Sequence, residues 1–320
     1  MTLPTIVFLD RATIPTRIDL PHLPFDHQWR EYDLTAPGEV VDRLQQADIV
    51  ITNKVVLDRA ILMQLPNLKM IAIAATGFNN VDIEACQEFG IAVTNIRGYA
   101  TQSVPEHVLA MIFALKRNLK GYHNDIAAGE WQRHKQFCFF THPISDVAGS
   151  TLGIIGSGAL GQATAQLAKS VGMNVLFAER KGQRQCRQGY ISFERLLAMS
   201  DVVTLHCPLN DETRHLIGRH ELASMKSSSI VINAGRGGLV DEEALVDALK
   251  HGTIRGAGID VFTDEPADES NSLIANMHLP NLLLTPHVAW GSDSAIQNLA
   301  NILIDNIGAF IEGREHNRVV

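Results

Sequence analysis

Short apolar runs rich in β-branched residues recur along the chain, and between them apolar positions fall three and four residues apart. Residues 5–9, 49–52, 69–73 and 91–94 read as strands, because a continuous run of Val, Ile and Leu bounded by turn residues marks a strand covered on both faces. Residues 57–63 and 81–88 read as amphipathic helices between them, so the chain opens with one small wound sheet. Ser103 as an N-cap, Pro105 in the first turn and Glu106 three positions after the cap predict a long helix over 104–119. That helix marks a crossing into a second domain. Six more strands follow at 151–156, 174–178, 202–206, 229–233, 256–262 and 282–285, and a last helix over 292–311 is expected to return to the first domain. Strands alternating with helices predict the α/β class with two wound parallel sheets. The domains expected are a discontinuous one, residues 1–98 and 290–320, and an enclosed one, residues 99–289.

Composition narrows the function classes. With 320 residues, 46% hydrophobic and 19% charged, the chain can bury two cores unaided. Its 27 basic and 35 acidic residues leave a formal charge of −8, which disfavours nucleic acid as a partner. Cys86, Cys138, Cys186 and Cys207 are far apart and read as reduced, mostly buried thiols. The first ten residues do not resemble a secretory leader, the end of the chain matches no lipid or organelle address, and the longest apolar stretch, 108–115, is too short to span a bilayer. The expectation is a cytoplasmic protein without a membrane partner.

The strongest local signal is GIIGSGALG at 153–161, a strand running into G-x-G-x-x-G and then a helix from Leu160. Gly156 would allow the tight turn, Gly158 the approach of a pyrophosphate, and Gly161 close packing of helix on strand. The phosphates would sit on the helix N-terminus. This is the fingerprint of a Rossmann dinucleotide-binding domain. The next strand ends at Glu179, 18 residues past Gly161, where a carboxylate would bind the adenosine ribose of NAD. Arg180, Lys181 and Arg184 follow directly and could instead receive a 2′-phosphate, so NAD is the expectation and NADP the alternative.

Three polar side chains follow three successive strands: Arg236, Glu265 and His287, spaced by 29 and 22 residues. Each interval is about one strand–helix unit, so a parallel sheet would bring all three to the carboxyl edge where ligands bind. Arg236 offers a fork that holds a carboxylate and polarises a neighbouring carbonyl. His287 suits proton donation to, or removal from, that oxygen. Glu265 bonded to the imidazole would fix its tautomer and favour its charged form. Each alone reads as an ordinary surface or core residue; the conjunction after a dinucleotide fingerprint points to catalysis by Arg236, Glu265 and His287.

These stretches, 233–241 (NAGRGGLVD), 260–266 (DVFTDEP) and 285–290 (TPHVAW), resemble the signatures of the D-isomer-specific 2-hydroxyacid dehydrogenases over nearly the whole chain. Residues 75–82 (ATGFNNVD), 95–99 (NIRGY) and the tryptophan after the histidine resemble the hydroxypyruvate-reducing members. The resemblance implies a flavodoxin-like substrate domain beside the Rossmann domain, with the active site in the cleft between them. It also implies hydride transfer between NAD(H) and a small 2-keto acid or 2-hydroxyacid. Arg236 would bind substrate, and Glu265 with His287 would form the acid–base relay. Thr76 and Gly77 would offer backbone donors to the substrate carboxylate. Thr101, Gly156, Gly158, Ala159, Leu160, Gly161, Glu179, Cys207, Pro208, Ala234, Arg236, Asp260 and His287 would border the cofactor, Asp260 bonding the nicotinamide amide. Gly235 stands where the family usually has alanine, and Pro105 also replaces an alanine. Other 2-hydroxyacids, or a dinucleotide-sensing protein on the same fold, are the alternatives.

Residues 130–140 hold Trp131, His134, Phe137, Cys138, Phe139 and Phe140, which implies burial. Packing within the chain is one reading; the resemblance makes this instead an arm crossing to a second subunit, and so a homodimer. His134 and Cys138 lack a second pair at ligand spacing, so no metal is expected. Trp290 is expected to wall the substrate pocket, the alternative being an apolar plug against the returning helix.

Overall fold

Buried strands need every backbone polar group paired and both faces covered, and the apolar runs here are placed accordingly. The computed structural model describes residues 3–320, and the described residues form two parallel sheets. The first contains β1 (Thr5–Phe8), β2 (Gln28–Glu31), β3 (Ile49–Thr52), β4 (Met70–Ile73) and β5 (Ala92–Thr94), in the order β2-β1-β3-β4-β5. This is the flavodoxin-like winding. The second contains β6 (Thr151–Ile155), β7 (Asn174–Ala178), β8 (Tyr190–Ile191), β9 (Val202–Leu205), β10 (Ile230–Asn233), β11 (Gly256–Ile259) and β12 (Leu282–Leu284). Its order, β12-β11-β10-β9-β6-β7-β8, is the doubly wound Rossmann arrangement, whose direction of winding reverses between β6 and β9. The α/β class with two wound sheets is therefore the observed one.

The chain divides into two compact units, Met1–Tyr99 with Ser292–Val320, and Ala100–Gly291. In the first, β1, β3 and β4 are buried at every position. Leu44, Leu62, Ala85 and Cys86 pack from the helices onto Val7, Val50 and Ile71. The helix Asp293–Ile311 lies against β4, and Val319 and Val320 exchange backbone hydrogen bonds with Val93 on β5 at 2.7 and 3.0 Å. In the second unit, Leu205, Val231, Ile259 and Phe193 share one core with Leu245 and Leu249. Each such side chain contributes about 1.5–3 kcal/mol by leaving water. The helix Ser103–Lys116 packs on the helix Ala159–Ser170 and on β10 and β11.

Several expectations change. β2 was not predicted: its sequence is QWRE and three of its four residues are exposed, so an edge strand paired to β1 through its backbone carries no apolar run. The helix expected over 104–119 starts one residue earlier, with Gln102 rather than Ser103 before it. It ends before Asn118, whose φ of 52° starts a second helix, Leu119–Ala127. β11 stops at Ile259, so Asp260–Phe262 already belong to a loop. The thiols divide: Cys86 is buried and Cys207 partly so, whereas Cys138 and Cys186 are exposed. The aromatic stretch is not buried within the chain. Phe137 is 92% exposed, with Trp131 and Phe140 also on the surface, although His134 stacks on Phe139 with ring centroids 5.1 Å apart.

Candidate active site

The glycine-rich turn sits at the winding reversal, where open α/β sheets bind ligands. Gly156 has φ of 103°, and a Cβ on it would lie 2.5–2.6 Å from the backbone of His206 and Cys207. The turn after β6 and the segment after β9 therefore touch backbone to backbone. A Cβ on Gly161 would fall 2.0 Å from the Gly156 carbonyl oxygen, whereas one on Gly158 would meet nothing within 4 Å. Thus two glycines are required by packing and the third faces open space in front of Ala159 and Leu160, the first residues of the helix. That opening, with unpaired helix N–H groups behind it, fits a pyrophosphate. Cys207 and Pro208 follow β9, Ala234 follows β10, and Asp260 follows β11. Burial pushes the Cys207 thiol up to about 11, so it lines the turn as an uncharged side chain. It also holds the neighbouring His206 imidazole down to about 4, neutral near pH 7. Thr101 lies just before the helix Ser103–Lys116.

Glu179 stands at the end of β7 as expected, but its carboxylate is occupied. Arg187 donates to it from Nε at 2.7 Å and Nη2 at 2.9 Å, and the backbone N–H groups of Arg180 and Arg187 donate at 2.9 and 3.1 Å. The bonds from the Arg187 side chain, then those from the backbone, hold the Glu179 carboxyl down to about 2. Lys181 is bound to Glu221 at 2.8 Å.

On the other flank two of the expected trio pair directly, and the third lies on the adjoining loop. Nδ1 of His287 lies 2.7 Å from Oε2 of Glu265, and the Phe262 N–H donates to Oε1 of Glu265 at 2.9 Å. With Nδ1–H directed to the carboxylate, Nε2 is the nitrogen left for a substrate. The Arg236 loop presses on the same segment, since a Cβ on Gly237 would lie 1.7 Å from the Phe262 carbonyl oxygen. Asn233, buried at the end of β10, ties that loop by donating to the Arg236 carbonyl at 2.9 Å and accepting from the Gly235 N–H at 3.1 Å. The Arg236 guanidinium bonds only the neighbouring Gly235 carbonyl, at 2.8 Å, and forms no ion pair among the described residues. An unneutralised fork at a ligand-binding edge suits a carboxylate. Gly235 itself could carry a Cβ only 2.9 Å from the Leu205 carbonyl oxygen, a close approach that favours glycine there.

His287 has φ of 55°, a left-handed conformation that costs a non-glycine residue about 1–2 kcal/mol. Asp260 holds it there. The His287 N–H donates to the Asp260 carbonyl at 2.7 Å. The fully buried Asp260 carboxylate accepts from the Val288 and Ala289 N–H groups, both at 2.9 Å, and from the Thr285 hydroxyl at 2.5 Å. That hydroxyl lies 3.0 Å from His107 Nε2 on the helix Ser103–Lys116. Trp290, expected as a pocket wall, donates its indole N–H to the His287 carbonyl at 3.0 Å. Asp260, the residue expected beside the nicotinamide, binds with its carboxylate the loop that carries the histidine. Arg187, Asn233, His107 and Thr285 were missed, and only the basic run around Arg187 gave a signal. Thr76 and Gly77 belong to the smaller unit, after β4. There the Thr76 hydroxyl donates to the Ile96 carbonyl at 2.7 Å and Asn95 donates to the Thr76 carbonyl at 2.8 Å.

A reversing parallel sheet with a glycine-rich first turn, and an arginine, a glutamate and a histidine gathered at its carboxyl edge, define a dinucleotide-dependent oxidoreductase. The family profile described as the D-isomer specific 2-hydroxyacid dehydrogenase NAD binding domain matches residues 109–289, and the chain belongs to that family. It is 48% identical to a glycerate dehydrogenase of Methylorubrum extorquens, over 98% of both chains. It is 36% identical to a hydroxypyruvate reductase of Blautia hydrogenotrophica, over 89% of both. Among solved structures it matches a D-lactate dehydrogenase of Aquifex aeolicus complexed with NAD and lactic acid, with a TM-score of 0.81, 27% identity and 96% of each chain covered. The protein is an NAD-dependent enzyme of 2-hydroxyacid oxidoreduction.

Proposed function

We propose that the chain interconverts hydroxypyruvate and D-glycerate, with Arg236, Glu265 and His287 as its catalytic residues. The observation that carries this reading is the 2.7 Å pair of His287 and Glu265, with an arginine on the adjoining loop that has no ion-pair partner among the described residues. Gly156, Gly158, Ala159, Leu160 and Gly161 hold the pyrophosphate of NAD, while Thr101, Glu179, Cys207, Pro208, Ala234 and Asp260 border the rest. When bound, the nicotinamide supplies the hydride that goes to C2 of the keto acid. Arg236 holds the substrate carboxylate and polarises the C2 carbonyl. His287 gives its Nε2 proton to the carbonyl oxygen as the new C–H bond forms, and Glu265 stabilises the ring through that transfer. In the direction of oxidation the neutral ring takes the hydroxyl proton. The glycerate dehydrogenase and hydroxypyruvate reductase among the relatives support the substrate assignment.

The working form is a homodimer in the cytoplasm. Leu119, Ile126, Trp131, Phe137 and Phe140, all exposed, fall within one stretch of 22 residues, and exposed apolar side chains that cluster support a subunit contact there. The free thiols fit a reducing compartment. The test is NADH oxidation by the purified protein with hydroxypyruvate, glyoxylate, pyruvate and phosphohydroxypyruvate in turn. Hydroxypyruvate is expected to give the highest kcat/KM and D-glycerate as product. A lead by another acid overturns the substrate, and NADH binding without reduction of any keto acid overturns the enzymatic reading in favour of cofactor sensing.

A further inference from the structure

A carboxylate has about four lone-pair positions, and at Glu179 four donors fill them: two from the Arg187 side chain and two from the backbone. A ribose hydroxyl therefore gains Glu179 only if one donor leaves. The backbone donors are fixed by the chain on either side of the loop, whereas the Arg187 side chain is 57% exposed and lies over the ring of Tyr190 at 4.0 Å. The guanidinium is the partner that can move. The loop around it is bounded by Gly182 and Gly189, with φ of 81° and 83°. In this fold the acid after the second strand of the nucleotide sheet meets the ribose 2′-hydroxyl, and a nearby arginine accommodates a 2′-phosphate. Any atom bonded to Glu179 at the 2′ position is therefore beside the Arg187 fork. Residues 179–190 carry four basic groups against one acid. Lys181 is committed to Glu221, while Arg180 and Arg184 form no ion pair among the described residues.

We propose that Arg187 sets the choice between the two nicotinamide dinucleotides, and that this pocket accepts NADPH as well as NADH. With NADH the guanidinium yields one position on Glu179 to the ribose hydroxyl. With NADPH it swings from Glu179 onto the 2′-phosphate, where a planar fork matches two oxygens. Arg180 and Arg184, on the same loop, add positive charge to its field. Leaving Glu179 with only backbone partners beside a phosphate is unfavourable, so NADH binds more tightly than NADPH. The sequence offered Arg180, Lys181 and Arg184 for that phosphate; the geometry selects Arg187.

This inference rests on the glycine turn being the phosphate cradle, and calorimetric titration separates the two. NADH, NADPH and 2′,5′-ADP are titrated into the intact protein and into Arg187→Gln, Arg187→Lys and Glu179→Gln. The unaltered protein is expected to bind all three. Arg187→Gln should raise the Kd of NADPH and 2′,5′-ADP by about tenfold or more, the scale of one lost charge-assisted contact, with NADH within about threefold or tighter. Arg187→Lys should restore part of the loss. Glu179→Gln, which frees the guanidinium, should tighten NADPH and weaken NADH, so the inference stays testable even if Arg187→Gln folds poorly. No NADPH binding beside normal NADH binding, equal weakening of both by Arg187→Gln, or no change in either overturns the role of Arg187. If neither dinucleotide binds the unaltered protein, the cradle itself is overturned.

Discussion

On each flank of the seven-stranded sheet a glutamate just past a strand meets a basic side chain, yet the two pairs are built for different work. Glu179 is 6% exposed, its partner is an arginine, and two backbone amides complete the set. Glu265 is 30% exposed, its partner is a histidine 29% exposed, and one backbone amide fixes its other oxygen. An arginine keeps its proton at any pH a protein survives, so the first pair is a constant charge whose only freedom is position. The imidazole of the second pair keeps a ring nitrogen, Nε2, that the carboxylate does not occupy, so under the proposed mechanism this pair can pass a proton outward. The same acid at equivalent places in the fold thus becomes a fixture or a relay according to the partner that the following loop delivers.

Removing the proton carrier is the largest break in that contrast. His287→Ala should lower kcat by about 10²–10⁴-fold, the usual worth of a positioned acid or base, while NADH affinity measured by fluorescence titration stays within about twofold. Near-normal turnover would remove His287 from the chemistry. Next comes the support that the relay has and the fixture lacks. Asp260→Ala leaves two backbone N–H groups, that of Ala289 buried, and the Thr285 hydroxyl without their acceptor, so urea denaturation should show a loss of about 2–4 kcal/mol. The turnover of the folded fraction should fall as well; unchanged stability would mean that the loop finds other partners.

The smallest effect sharpens the comparison from the other flank. Bonds from Arg187 hold Glu179 at about 2, below the ordinary 4.5. Its charge therefore stabilises the fold above about pH 4.5, and that stabilisation is lost as the pH falls from there toward 2. Glu179→Gln should flatten the dependence of Tm on pH across that window and leave its slope near neutrality unchanged. An unaltered acid limb would show that the pair contributes nothing to folding.

The gathering of three polar residues at one sheet edge was legible because a parallel sheet converts spacing into position. Arg236, Glu265 and His287 each lie a few residues past a buried apolar run, and those runs are the strongest signal in the chain. The glycine turn was legible for a related reason, since Gly156 and Gly161 answer to backbone contacts that no other residue tolerates. What escaped was held by polar groups across long separations. His107 meets Thr285 178 residues away, and a histidine within an apolar helix carries no period that marks its partner. β2 escaped because an edge strand needs only backbone pairing, and QWRE has no face to bury. Arg187 escaped because a run of basic residues gives no indication of which one turns inward; the loop conformation makes that choice.

The smaller sheet draws its last pieces from the far end of the chain, a helix against β4 and a pair of valines along β5. The nucleotide-binding unit, by contrast, is one uninterrupted stretch, Ala100–Gly291. On the ribosome it has all of its sequence before the unit that was begun first can be finished. For the time needed to translate Ser292–Val320, roughly 1.5–6 s, β4 and β5 wait with apolar surface uncovered, which makes this interval the point in synthesis at which a chaperone is most useful.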